Sequence, residues 1–135
     1  MRGRVLFRTI LLALVLAVAA PLLTPKTLPQ IGSVAEAAEL KFKIRSNYPY
    51  RLHLEFYGQK WDHVWPGDGK VYVLKDSKYH TYNLWCRRGD TICYGAWVTT
   101  DEDIYWGVGK DDTHGCRNCC YKCIDGNAGP ITLTR

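Results

Sequence analysis

All six cysteines of this chain lie in one stretch of residues 86–123. An even number of cysteines crowded into a short chain is typical of a disulfide framework, which stabilises a domain with a small core. Two C-x-x-C units, at 116/119 and 120/123, adjoin directly, whereas zinc sites separate such pairs by a dozen or more residues. The sequence therefore predicts no metal and three disulfides among Cys86, Cys93, Cys116, Cys119, Cys120 and Cys123.

The first residues predict export. Three arginines precede an apolar run at residues 10–20, which is too short to span a bilayer and has the pattern of a secretory signal. A small-x-small site at residues 35–37 predicts cleavage after Ala37, and an earlier cut near Ala19 is the alternative. We therefore predict a secreted or periplasmic protein, with membrane attachment only through an uncleaved signal anchor.

Residues 38–135 are predicted to form one small domain. Residues 1–37 hold four basic side chains and one acidic side chain, so removing them lowers the formal net charge from +5 to +2. A nucleic-acid-binding protein needs concentrated positive charge to displace counterions from phosphates. The small remaining charge predicts that nucleic acid is not a partner.

Alternating apolar and polar residues predict an all-β fold. The alternation is clearest at 40–44 and 52–56, which we expect to form a hairpin because only a short turn separates them. Residues 99–103 read as an acidic loop. Short strands between turns predict a small antiparallel sandwich or barrel of six to seven strands stapled by disulfides. The other predicted strands lie at 70–75, 79–86, 104–110, 131–133 and from residue 91 onward.

A two-residue turn at Gly89–Asp90 would place Cys86 opposite Cys93 in a second hairpin. Opposed residues share one face, so these cysteines could bond across the strands. In that case the four C-terminal cysteines pair among themselves. Otherwise Cys86 and Cys93 bond into the C-terminal cluster and tie the last loop to the sheet.

The chain resembles a family of small uncharacterised exported bacterial proteins over residues 44–123. The shared pattern is a Trp-Pro-Gly turn at 65–67, Cys-x6-Cys, Tyr-Gly-Ala-Trp at 94–97, Trp-Gly-Val-Gly at 106–109 and a C-x-x-C-C-x-x-C ending. The resemblance implies an exported bacterial protein and implies no particular activity.

No motif fixes a reaction. A C-x-x-C unit can act as a redox dithiol, but such centres follow a strand at the start of a helix, and these units end an all-β pattern. The four histidines lack helical metal spacing, and the two serines of residues 38–135 lie beside turns. We predict no catalytic residue and no cofactor. Five acids whose spacing suggests no catalytic pair are Glu55, Asp62, Asp101, Glu102 and Asp103.

Aromatic residues carry the prediction of binding, since the chain has 5 tryptophans and 9 tyrosines. Rigid rings with a polar edge can stack on sugars or anchor a protein partner. The other reading is that the second sheet of a sandwich covers them. The predicted ligand-binding residues are Tyr57, Trp61, Trp65, Trp85 and Tyr94, with Trp85 beside Tyr94 in the second hairpin.

These observations favour an exported, non-catalytic binding or interaction module with a glycan or an envelope protein as its partner. The alternative is a thiol-disulfide oxidoreductase that uses the C-x-x-C pairs. Arg88-Gly89-Asp90 also matches an adhesion tripeptide, although Gly-Asp suits the predicted turn without that role.

Overall fold

The computed structural model describes residues 35–135. The predicted signal segment up to residue 34 lies outside this range, as does the alternative cleavage position near Ala19. The predicted cut after Ala37 falls at the first residue of β1. The nine strands are β1 (Ala37–Ser46), β2 (Leu52–Gly58), β3 (Val64–Trp65), β4 (Tyr72–Leu74), β5 (His80–Arg87), β6 (Thr91–Val98), β7 (Asp101–Gly107), β8 (Cys120–Lys122) and β9 (Gly126–Leu133).

Two sheets pack face to face. One has the order β5-β1-β9, and the other has the order β3-β2-β6-β7, with β4 paired to β2 and β8 paired to β6. Every pairing is antiparallel except β1 with β9, which is parallel. The predicted all-β, disulfide-stapled fold is confirmed as an open sandwich. The strand count exceeds the predicted six to seven because two very short strands, β3 and β8, have no counterpart among the predicted strands.

The predicted hairpin between the first two strands is wrong. β1 pairs with β5, with Leu40 opposite Leu84, and β2 pairs with β6, with Leu54 opposite Ala96. Residues 47–51 instead carry the chain from one sheet to the other. Each strand can then bury its apolar side against the same core from opposite directions, which two neighbours in a single sheet cannot do.

The predicted hairpin between β5 and β6 is also wrong, although its turn forms. The Asp90 amide donates to the Arg87 carbonyl at 3.0 Å, yet the turn is a corner that takes the chain between the sheets. Cys86 and Cys93 are therefore not opposed. The second alternative is the correct one, because both cysteines bond into the C-terminal cluster. The disulfides are Cys86–Cys123, Cys93–Cys120 and Cys116–Cys119.

Two of these disulfides fix the last third of the chain. Cys86 lies in β5 and Cys123 directly follows β8, so their bond joins the two sheets. Cys93 and Cys120 are directly opposed in the β6–β8 pair, and their bond staples β8 to the sheet. β8 has only three residues, so its pairing depends on these covalent links more than on its own length.

The core lies between the inner faces of the sheets, where alternation has placed the apolar side chains. Phe42 of β1 is fully buried at its centre, with its ring 4.6 Å from that of Phe56 and 5.3 Å from that of Tyr121, measured between centroids. The other residues of this cluster that are at most 1 % exposed are Ala38, Ile44, Leu52, Leu54, Phe56, Leu74, Leu84, Ile92, Ala96, Cys123, Ala128 and Leu133.

The acidic segment at 99–103 is partly strand. Asp101 to Asp103 open β7, while Thr99 and Thr100 make the turn from β6. The β6–β7 ladder has an irregularity at Trp97/Val98, where the register shifts. All three acids are exposed, so strand formation there buries no charge.

The raised pKa of the buried Tyr82 hydroxyl makes the stability of the domain depend on pH in alkaline solution. Its ring packs 5.4 Å from Phe56 and 4.7 Å from Tyr72, and burial, followed by the charges of Tyr72 and Asp76, raises the pKa of Tyr82 to about 12. The unfolded side chain titrates near the ordinary value of about 10. Stability from the neutral phenol is thus complete below pH 10 and is lost as the pH rises through 12.

We expect Tyr82→Phe to flatten the fall in unfolding free energy between pH 10 and 12. Urea denaturation at a series of pH values measures this, and Tyr50→Phe, with Tyr50 64 % exposed, is the control. An unchanged slope in Tyr82→Phe would show that another group causes the alkaline loss.

Candidate functional site

Three of the five predicted ligand-binding aromatics meet in one depression, which we call the aromatic cleft. Trp61, Trp65 and Trp85 line it together with His63 and Arg87, and its volume is about 300 Å³. It lies where the edge strand β5 of one sheet approaches the loop before edge strand β3 of the other. A cavity of this size, mostly apolar with a few polar groups, has the form of a small-ligand site.

Strand alternation sets the β5 side of the cleft. Leu84 and Cys86 point into the core, so Trp85 and Arg87 point outward on the opposite face. Trp85 is 67 % exposed, more than any other large hydrophobic residue in the described part of the chain. Its indole therefore faces solvent from a strand whose backbone is hydrogen-bonded to β1.

The loop before β3 sets the other side. Trp61 is 41 % exposed, while Trp65 is half-buried and pairs with Phe56 of β2 across the strands. The His63 ring lies 4.3 Å from that of Trp65, edge to face. The predicted turn after Trp65 is present, since the Lys70 amide donates to the Gly67 carbonyl at 3.0 Å.

Two cations lie against the cleft. The guanidinium of Arg87 is 5.3 Å from the centre of the Trp61 ring, and the Lys60 ammonium is 5.8 Å from it. Both distances fit a cation–π contact. Within residues 35–135, neither cation has a salt-bridge partner, so their charge is available to a ligand.

Among residues 35–135, Asp90 is the one carboxylate that lines the cleft, and it is already engaged in hydrogen bonds. Asp90 is 2 % exposed, and its Oδ1 accepts the amide hydrogens of Lys60 at 3.1 Å and Thr91 at 2.6 Å. It therefore fixes the loop that carries Trp61 to the β5–β6 corner. The adhesion-tripeptide reading fails here, because Asp90 is buried and Arg88 is paired with Glu36 and Asp125.

Tyr57 and Tyr94 lie away from the cleft. Tyr57 is 6 % exposed, and Tyr94 is half-buried against the core. The predicted neighbourhood of Trp85 and Tyr94 is wrong, since β5 and β6 belong to different sheets. The segment after β7 covers Tyr57, and Gly95 makes this possible. A Cβ at position 95 would collide with the Gly109 carbonyl oxygen, so only a residue without a side chain lets that segment lie on the sheet.

Tyr57 instead lines a second cavity of about 380 Å³, beside Glu55 and Asp62. The Tyr57 hydroxyl donates to Glu55 Oε2 at 2.7 Å and accepts the Asp111 amide hydrogen at 2.9 Å. Burial, followed by this bond to Glu55, raises the pKa of Tyr57 well above its usual range. The phenol thus stays protonated and satisfies the buried carboxylate, which is a structural arrangement.

Of the five acidic residues considered as candidates for a catalytic pair, only two lie together at the second cavity. Glu55 and Asp62 line the second cavity, but Glu55 is engaged by Tyr57. The other three acids begin β7 and do not line this cavity.

The cysteines form no dithiol in this structure, because all six are bonded. Only the first C-x-x-C unit closes on itself, at Cys116–Cys119, whereas Cys120 and Cys123 bond to β6 and β5. Among the described residues, the one group close enough to share a metal ion is Cys93, Cys119 and Cys120, and its sulfurs are all in disulfides. A disulfide sulfur is not the thiolate that binds zinc.

Arg87 and His63 are the cleft residues that the sequence reading missed. A usable signal was present, because each is two positions from a predicted tryptophan, Arg87 from Trp85 and His63 from both Trp61 and Trp65. In extended chain that spacing places side chains on one face.

In residues 35–135, the structure has no helix of the length and apolarity needed to cross a membrane.

No protein-family model, no curated protein and no solved structure matches this chain. The function is therefore inferred from the geometry of the cleft.

Proposed function

We propose that this protein is an exported, non-catalytic binding module that holds a carbohydrate in the aromatic cleft. The observation that carries the proposal is the convergence of three tryptophans on one accessible depression, with Trp85 from β5 of one sheet, Trp65 from β3 of the other and Trp61 from the loop before β3. Exposed tryptophans are costly in water, so the exposed Trp61 and Trp85, beside the half-buried Trp65, suggest a surface that a ligand covers.

The chemistry of the cleft suits a sugar. A sugar ring has apolar faces that can pack on an indole and hydroxyls at its edge that need polar partners. His63 and Arg87 supply polar groups beside the rings, and Arg87 stacks on Trp61. The backbone that carries Trp85 and Trp61 is also held before the ligand arrives, by the β5 ladder and by Asp90, which reduces the entropy lost on binding.

The disulfides support export, because such bonds form and persist outside the cytosol. They also support a binding role over a redox role, since four of the six cysteines link separate strands.

We expect thiol titration of the folded protein to find no free thiol. A pair that cycles with mild reductant would favour the oxidoreductase alternative.

The test of the carbohydrate proposal is Trp85→Ala. Trp85 contributes the most exposed ring of the cleft, so its removal should weaken binding of whichever oligosaccharide the protein takes by at least about tenfold, or about 1.4 kcal/mol. Intrinsic tryptophan fluorescence, titrated with a panel of neutral, amino and acidic oligosaccharides, identifies that ligand and measures the affinity.

Tyr50→Ala is the matched control, because Tyr50 is 64 % exposed but does not line the cleft. It should bind as the unchanged protein does. Absence of any response across the panel would overturn carbohydrate binding and leave an envelope protein as the partner to test.

A further inference from the structure

We infer that the sugar chain is acidic and that it extends from the aromatic cleft across the outer face of the β5-β1-β9 sheet. This inference rests on the proposed carbohydrate binding and deepens it by naming the ligand's charge. Its basis is a set of cations on one sheet face, three of which lie against aromatic rings and have no salt-bridge partner among residues 35–135.

The register of β1 and β5 assembles this face. In β1 the apolar residues point inward, so Lys41, Lys43 and Arg45 point outward. On β5 the outward positions include Trp85 and Arg87. Lys41 is opposite Asn83 and Lys43 is opposite Thr81, while Glu39 is opposite Trp85. We call the surface formed by Lys41, Lys43, Arg45, Trp85 and Arg87 the basic sheet face.

Its positive charge is largely unneutralised. Glu39 is the one carboxylate that β1 places on this side, and it pairs with Lys41 at 3.3 Å. At the rim, Asp125 pairs with Arg88, which also binds Glu36. The remaining cations of the face have no salt-bridge partner among residues 35–135. A patch of one sign raises the local concentration of ligands of opposite charge.

Aromatic rings hold these cations in place. Tyr79 lies under both Lys43 and Arg45, with their charged groups 5.2 Å and 4.7 Å from the ring centre, and Thr132 Oγ1 accepts the Nε hydrogen of Arg45 at 3.1 Å. Arg87 is held in the same way on Trp61. An arginine fixed on a ring keeps its guanidinium edge free, and that edge matches a carboxylate in two parallel hydrogen bonds.

The spacing links the two features. Trp85 and Arg87 are neighbours on the outer face of one strand, about 6–7 Å apart along it. A sugar stacked on Trp85 therefore brings its own carboxylate, or that of the next unit, to Arg87. In the other direction from Trp85, the rest of the sugar chain runs along β5 and β1, past Glu39 opposite Trp85 and past Lys41, toward Lys43 opposite Thr81 and then Arg45.

The experiment compares oligogalacturonate with its fully methyl-esterified form, using the full chain and tryptophan fluorescence. The two ligands differ in charge and share the same sugar backbone. We expect the acid form to bind at least about tenfold more tightly at about 0.01 M salt. This advantage should shrink toward 1 M salt, where the Debye length falls to about 3 Å and charges further apart no longer attract each other.

Arg87→Gln should remove most of the preference for the acid form, because it lowers the affinity for the acid form far more than the affinity for the ester. Lys70→Gln is the matched control, because Lys70 is an exposed cation in the turn after β3, away from the basic sheet face. The double variant Lys43→Gln/Arg45→Gln should lower the affinity for long acidic oligomers more than for short ones.

The outcomes separate the two claims. Equal binding of both forms, or a preference for neutral sugars, overturns the acidic ligand and leaves carbohydrate binding intact. No response to any sugar overturns both. Single-stranded DNA bound as tightly as oligogalacturonate, with the same loss in Arg87→Gln, would show a general polyanion surface and overturn the inference of a sugar ligand.

Discussion

Phe42→Ala is expected to destabilise the domain by about 3–5 kcal/mol, the usual cost of removing a phenylalanine from a closed core. Phe42 is fully buried in the central strand of the three-stranded sheet and touches the opposite sheet through Phe56 and Tyr121. Removing the ring leaves a space between two layers that disulfides and ladders prevent from closing. Small domains are stabilised by about 5–15 kcal/mol, so much of the total would be lost.

Urea denaturation followed by circular dichroism measures this loss. Phe42→Leu keeps most of the volume and should cost much less, which separates the effect of the cavity from that of the altered side chain. Tyr50→Ala, at an exposed aromatic, should change the stability by less than about 1 kcal/mol. A similar cost for Phe42→Ala and Tyr50→Ala would contradict the central position of Phe42.

Replacing Cys86 and Cys123 together by alanine is expected to cost about 4 kcal/mol. The bond closes a loop between residues 37 positions apart, and the chain-entropy relation gives about 4 kcal/mol for a loop of that length. The effect is large because this bond joins the two sheets, where no backbone ladder does so. Without it, β8 keeps its disulfide to β6, but Cys123 is held to the β5–β6 corner only by hydrogen bonds, such as that from the Cys123 amide to the Asp90 carbonyl at 2.8 Å.

Cys116→Ala/Cys119→Ala is the matched control, since it also removes one disulfide and two sulfur atoms. Its loop spans only three positions, for which the same relation gives about 2 kcal/mol. Equilibrium urea unfolding of both variants under oxidising conditions measures the difference. A larger loss in the control would mean that the C-terminal loop, and not the link between sheets, stabilises the sandwich.

The strands could be predicted from the sequence because burial on one face leaves a period of two in the chain. Residues 40–44 and 52–56 show it, and both form strands with the expected inward faces. Their pairing could not be predicted in the same way. Alternation states which side of a strand is apolar, and this is equally compatible with a hairpin in one sheet or with two strands facing each other across a core.

Part of the candidate site could also be predicted from strand alternation. Trp85 and Arg87 face outward because Leu84 and Cys86 face inward, which is a local property of the strand. Tyr57 follows the same rule and points away from the core, but the segment after β7 then covers it. A residue far along the chain decides such a cover, so local alternation cannot show it.

The sequence by itself determined that the chain forms short strands and that its six cysteines form three disulfides, because local periodicity and an even cysteine count express those properties directly. Only the tertiary structure decided which strands share a sheet, which cysteines bond and which tryptophans meet at the cleft. Each of these depends on contacts between distant residues, and their free energies are set by how the two apolar faces pack together.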